Sequence, residues 1–199
     1  MQQQKHVTPF YTEERWHNWI GKVKESGFKI EDEKKGAVFV NMEDDVVLAC
    51  LKIIAKYDKN LISREDALQY LSEIKGIVLQ KVEPISEDID MMIESVQLSL
   101  MGVFASCECY VEKAFEETKS FGKLIKGAVA AEKEDNMGAA LGNIAEIGAN
   151  ILAGKKLKEK DLDDVPEGLV AEWLDGRDSI RAAMVGDSSY RDDEPDEGD

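Results

Sequence analysis

The chain reads as an all-α protein: a helical bundle of about six to eight helices with a buried central helix and a disordered acidic C-terminal tail. Three observations lead there. Apolar residues recur at i, i+3, i+4 and i+7 in one segment after another. Most of those segments open on a Ser, Thr, Asn or Pro followed by acidic residues, the chemistry of a helix N-terminus. And Met91 to Val111 is apolar on most sides, broken by Glu94, Ser95, Gln97 and Ser99, which in a soluble bundle marks a helix enclosed by others.

The first helix begins in FYTEERWHNWI, residues 10 to 20. Thr12 is a good N-cap, Glu13 and Glu14 occupy the first turn, and Tyr11 and Trp16 have the spacing of a hydrophobic staple. Trp16, Trp19, Ile20 and Val23 make one apolar stripe, and Gly27 can end the helix. The aromatic cluster is then a core face plus its staple. The alternative is a docking helix with Trp16 and Trp19 as exposed anchors. Residues 28 to 40 admit two readings: a small hairpin around the charged turn Glu31 to Gly36, or an early start of the next helix. That helix is expected to cap at Asn41 or just before, with Glu43, Asp44 and Asp45 in its first turn. Val47, Cys50, Leu51 and Ile54 form its stripe, and it ends near Asp58 to Asn60. Ser63-Arg64-Glu65-Asp66 opens a third helix with Ala67, Leu71, Ile74 and Val78 on one face, pairing with the second as an αα-hairpin.

Pro84 to Asp88 starts the longest segment, running to about Lys119 and buried around 87 to 115, with Gly102 as a candidate kink. Two Ala/Gly-rich helices follow, roughly 121 to 134 and 137 to 153. Gly138, Gly142, Ala145, Gly148 and Ala149 would let neighbouring backbones approach closely, while Asn143, Glu146 and Asn150 argue against a membrane helix pair. Lys155 to Lys160 is a charged linker. Pro166 suits a helix N1 position, and Leu169, Val170, Trp173, Ile180 and Met184 supply a last helix or two. Residues 1 to 185 are expected to form a single helical domain. Residues 186 to 199, GDSSYRDDEPDEGD, carry seven acids and too little apolar surface to order themselves.

Composition narrows the function classes. The 199 residues are 43% hydrophobic, enough for a substantial core. No run of 18 or so uninterrupted apolar residues suggests a membrane span, and MQQQKHVTPF lacks the basic-then-apolar pattern of a secretory signal. Three cysteines without a CxxC pair fit a reducing compartment, so a cytoplasmic location is expected. The net charge is −16, with 14 acids and 3 arginines in residues 161 to 199. Nothing promises the basic face that direct nucleic-acid binding needs. Lysine supplies most of the basic residues, which suggests a moderate-salt interior rather than an extreme halophile's.

Catalytic signatures are scarce. Glu87, Asp90 and Glu94 share a helical face and are the only candidates for a carboxylate metal site; acids in a first helical turn need no such role, because they complement the helix dipole. No metal and no cofactor is expected. Glu14 to His17 matches ExxH once, where ferritin-like sites need two such motifs and further glutamates. Cys107 and Cys109, two residues apart on a helix, point about 200° apart and read with Cys50 as small core residues. Asp58 to Glu65 resembles a calcium loop but lacks the glycine at its sixth position. Gly122 and Gly127 have P-loop spacing, but Ala128-Val129 stands where Lys-Ser/Thr is required. There is no GxSxG, GxGxxG or HExxH.

The stretches FYTEERWHNWI, EDDVVLACLKIIAKYD, EIKGIVLQKVE and QLSLMGVFASCECYV together resemble an uncharacterised family of archaeal cytoplasmic proteins found in methanogens and haloarchaea, over roughly residues 10 to 155. These are core-type stretches, so the resemblance implies an archaeal cytoplasmic origin and carries over no functional residue.

The function expected is that of a non-enzymatic protein-interaction or regulatory protein. Its acidic end, with Asp192, Asp193 and Glu194, would draw in a basic partner such as a ribosomal or nucleic-acid-binding protein. The alternative is a helical phosphohydrolase acting on a nucleotide-like substrate with Mg²⁺ or Mn²⁺ on Glu87, Asp90 and Glu94. A homo-oligomer built through the Ala/Gly-rich helices is compatible with either.

Overall fold

The computed structural model describes residues 9–31, 35–158, 161–162, 165–174 and 180. Among them are six long helices: α1 (Glu13–Ser26), α2 (Ala37–Asp58), α3 (Arg64–Val78), α4 (Glu87–Glu112), α5 (Phe121–Lys133) and α6 (Met137–Leu152). A short helical segment covers 169–174, and no strand occurs among the described residues. The protein is all-α, as the periodicity predicts.

Local chemistry explains most helix starts. Thr12 accepts the N–H of Arg15 at 3.1 Å, and Gly27 closes α1 in the left-handed conformation at φ 55°. Ser63 and Asp66 form a capping box, each side chain accepting the other's backbone N–H. At α5 and α6 the cap is one-way: Ser120 accepts the Lys123 N–H and Asn136 the Ala139 N–H.

Of the two readings of residues 28 to 40, the described residues, 28–31 and 35–40, follow the early helix start. Phe28 meets Phe39 edge-on with ring centroids 5.0 Å apart, and both are buried. Burying Phe39 and Met42 on one side makes Ala37 to Val40 the first turn of α2 and displaces the expected cap at Asn41. Glu43, Asp44 and Asp45 therefore lie beyond the first turn, and the dipole does not account for them. Glu43 accepts the Ser99 hydroxyl of α4 at 2.7 Å. Asp45 is the clasp between α1 and α2: it accepts Arg15 through both Nε, at 2.8 Å, and the terminal nitrogen, and Trp19 Nε1 at 2.7 Å.

α4 is the axis of the bundle, packed against α2, α3 and α6. It is long and apolar enough to cross a membrane by length and composition, and half of its most apolar window is buried inside this fold. It stops at Glu112 rather than near Lys119. Lys113 takes the left-handed conformation at φ 57°, and the Ala114 N–H returns to Cys109 O at 3.0 Å, a Schellman-type closure. Lys113 adopts this conformation despite carrying a Cβ, and its ammonium lies 4.1 Å over the Tyr110 ring and 5.5 Å from that of Tyr57.

Two glycines admit backbone to α4. A Cβ on Gly148 would stand 1.9 Å from Ser106 Oγ, so α6 lies directly on α4 there. A Cβ on Gly102 would stand 2.8 Å from Trp173 O, so this glycine seats the C-terminal segment. That segment is part of the core: Val170, Trp173, Leu174 and Ile180 are buried. Glu132 of α5 accepts the Val170 N–H at 3.3 Å, and the Ser95 hydroxyl donates to Glu172 at 2.8 Å. The acidic residues 186 to 199, with Asp192, Asp193 and Glu194, lie outside the described residues.

Candidate interaction groove

The residues singled out in the sequence do not assemble into one site. Glu87 and Glu94 are exposed at the surface of α4. Asp90 accepts the Ile85 N–H at 2.9 Å, which ties down the turn that leads into α4. Asp90 and Glu94 border a cleft of about 340 Å³ with Lys81 and Gln97, and Glu87 is not among its lining residues. Among the described residues no group of three His, Cys, Asp or Glu could hold a metal ion. His17 is exposed on α1. Trp16 is 1% exposed, a core residue of this chain, whereas Trp19 is half-buried, its indole N–H on Asp45 and Lys22 4.1 Å over its ring.

The larger concavity lies elsewhere, between the C-terminal half of α4 and the N-terminal half of α6. It is an open groove of about 560 Å³. One wall carries Ala105, Cys109 and Glu112, spaced i, i+4 and i+7 on α4. The other is broader: on α6 it carries Gly138, Gly142 and Ala145 at the same spacing, with Ala139, Leu141, Asn143 and Glu146 beside them. The small side chains among them make a shallow, mostly apolar floor.

The charged residues that line the groove are Glu108, Glu112 and Glu146. Glu108 is held from α3 by Lys75, at 2.9 and 3.2 Å to its two oxygens. Lys119, from the loop before α5, holds Glu146 at 3.0 and 3.1 Å. Glu112 is the least neutralised: its contact with Arg64 is 4.0 Å long, and its side chain is 48% exposed. Lys113, adjacent in sequence to Glu112, is not among the lining residues, and its ammonium lies over the Tyr110 ring.

Cys109 also lines the groove, and nothing there activates its thiol. Burial, followed by the nearby charges of Glu146 and Glu112, pushes its thiol up to about 11. Cys50 and Cys107 are buried between α2 and α4, and a hydrogen bond to Cys107 together with burial raises the Cys50 thiol further. Cys109 keeps 8% of its surface exposed while Cys50 and Cys107 keep none, so alkylation should label Cys109 first in the native chain. Because the thiolate is the reacting form, the rate should climb roughly tenfold per pH unit between about pH 7 and 10. Mass mapping of iodoacetamide adducts checks this; equal labelling of Cys50 would contradict its burial.

A family model described as an uncharacterized protein conserved in archaea matches residues 9–193. The chain belongs to this archaeal family. No curated protein and no solved structure matches it. The family model reaches past residue 155, where the sequence resemblance ends, and takes in the C-terminal segment that packs Trp173 against Gly102. Within the family's span lie both walls of the groove, α4 and α6. Sequence reasoning found the small residues of α6 but not the groove, because Ala105, Cys109 and Glu112 look like any other turns of a core helix until α6 lies beside them.

Proposed function

We propose that this chain is a non-enzymatic cytoplasmic interaction or regulatory protein that holds a basic protein partner. The observation that supports this reading best is the α4–α6 groove: an open, small-residue floor whose charged lining residues are all glutamates, with no activated nucleophile. A mostly apolar floor with an acidic rim matches the general anatomy of a protein-docking surface, in which buried apolar contact supplies affinity and the rim charges supply encounter rate and selectivity. The net charge of −16 adds a long-range pull on basic partners. The acidic residues of the C-terminal end, Asp192, Asp193 and Glu194 among them, strengthen that pull without forming part of the groove.

Affinity capture of the tagged full chain from native archaeal extract, at low and at high salt, tests the reading. A stoichiometric basic protein released at high salt is the expected result. Capture of the chain alone at both salts would sink the reading and turn attention to Asp90, Glu94 and Lys81, to be assayed with Mg²⁺ or Mn²⁺ on phosphorylated substrates. Repeating the capture without residues 186 to 199 separates the tail from the groove: unchanged capture and unchanged salt dependence would mean that the tail plays no part.

A further inference from the structure

We infer that the α4–α6 groove takes one amphipathic α-helix of a basic partner, with small apolar residues on its docking face and Lys or Arg on its flanks. This rests on the interaction reading above and names the occupant of that surface.

Shape is the first ground. Both walls are helical, each with residues at i, i+4 and i+7 along it, and the valley between two packed helices accepts a third. Along α6 the lining runs from Gly138 to Glu146, about 12 Å at 1.5 Å per residue, or two turns of a docked helix. The floor at Ala105, Gly138, Ala139 and Gly142 lets another backbone come close, provided that it too presents small side chains.

Charge chooses the occupant. The lining carries Glu108, Glu112 and Glu146, and the bases that balance them, Lys75, Arg64 and Lys119, are not among the lining residues. A second copy of this chain would bring a net charge of −16 to an acidic rim, and the chain's own end, residues 186 to 199, is acidic as well. Lys or Arg flanks complement the rim, with Glu112 as the anchor because its own partner is most distant.

Gly142 gives the means to test this. A Cβ there meets nothing within 4 Å, so the fold does not need a glycine at that position, and a glycine inside a helix weakens it. Gly21, Gly76 and Gly122 are equally open. What sets Gly142 apart is its place on the groove floor, where an added Cβ meets open space and a larger side chain would extend into the docking space.

The test uses the full chain and two fluorescent synthetic peptides. One is an Ala/Leu/Lys sequence patterned as an amphipathic helix, and its twin carries Glu in place of every Lys. Fluorescence anisotropy should show the Lys peptide binding, more weakly as salt rises, and the Glu twin not binding. Gly142→Leu should keep the wild-type melting temperature and weaken binding at least tenfold, and Glu112→Lys should weaken it similarly. Bound peptide should slow alkylation of Cys109, the thiol on the groove floor. If Gly142→Leu failed to fold, Glu112→Lys and Cys109 protection would still decide the matter. Equal binding by both variants with Cys109 unprotected would overturn the inference, because the peptide would then be sitting on the acidic surface at large. Absence of binding would overturn it too, as would a dimer in sedimentation that Gly142→Leu abolishes. A partner captured from extract equally well by Gly142→Leu would remove the groove helix and leave the interaction reading standing; capture of nothing would remove that reading itself.

Discussion

Gly148→Ala is expected to destabilise the chain by about 2–4 kcal/mol and to lower its melting temperature by roughly 5–15 °C. The added methyl would stand 1.9 Å from Ser106 Oγ and 2.2 Å from Ser106 Cβ. Neither atom can swing aside, because Cβ is fixed to the α4 backbone and Oγ is held by its bond to Gly102 O at 2.6 Å. The two helices would have to part, and with them the buried contacts that α4 and α6 share. Alanine's higher helix propensity, about 1 kcal/mol over glycine, offsets part of the loss. Gly142→Ala is the internal control, since its new methyl meets open space in the same helix and should leave stability level or improved. Adding Ser106→Gly to Gly148→Ala should restore part of the lost stability, with a non-additive coupling read by a double-mutant cycle. Thermal melts followed by circular dichroism give all four values. A Gly148→Ala chain that melts with the wild type would show that α4 and α6 do not touch at this point.

The second large effect belongs to the tryptophans. Trp16→Ala should cost about 3–5 kcal/mol, because it empties a site that is 1% exposed in the core. Trp19→Phe keeps a half-buried aromatic ring and removes the N–H that Asp45 accepts together with part of the indole's contact surface. Arg15 still holds that carboxylate, so the cost should be about 1 kcal/mol. Urea unfolding of both variants measures the contrast. A mild Trp16→Ala with a severe loss of partner capture would mean that α1 turns Trp16 outwards, as a docking helix would.

These two experiments bear on different kinds of residue. Trp16 announces itself in the sequence. It falls on the stripe with Val23, four residues after the cap Thr12, and periodicity together with capping is enough to place it in the core. Gly148 announces only that something small is wanted. Its neighbour is Ser106, 42 residues away, and no local pattern names it.

The same division runs through the molecule. The starts of α1, α3, α5 and α6 are legible because a cap and its first turn are short-range chemistry carried by three or four consecutive residues. The start of α2 is not. Gly36 contributes no side-chain cap, and the helix begins at Ala37 because Phe39 is buried against Phe28. The end of α4 is also hidden from local reading. It depends on Lys113 taking a left-handed turn over Tyr110 and over Tyr57, a residue of α2. The carboxylates Glu43 and Asp45 look like first-turn acids in the sequence, and the fold makes them crosslinks to Ser99 and to Arg15 and Trp19.

The groove shows the limit most plainly. Ala105, Cys109 and Glu112 repeat along α4, and Gly138, Gly142 and Ala145 repeat along α6; each set is visible by itself. Nothing in either helix says that the two faces will border one valley. The sequence by itself determined the all-helical class, the helix openings at Thr12 and Ser63 and the identity of the central helix, because those follow from backbone hydrogen bonding and from the 3.6-residue period. Only the tertiary structure decided where α2 begins, which acids become clasps, that the segment around Trp173 closes on Gly102, and that three glutamates share one groove. Each of these is a meeting of residues far apart in the chain, settled by packing and by the long-range burial of charge and not by any local preference.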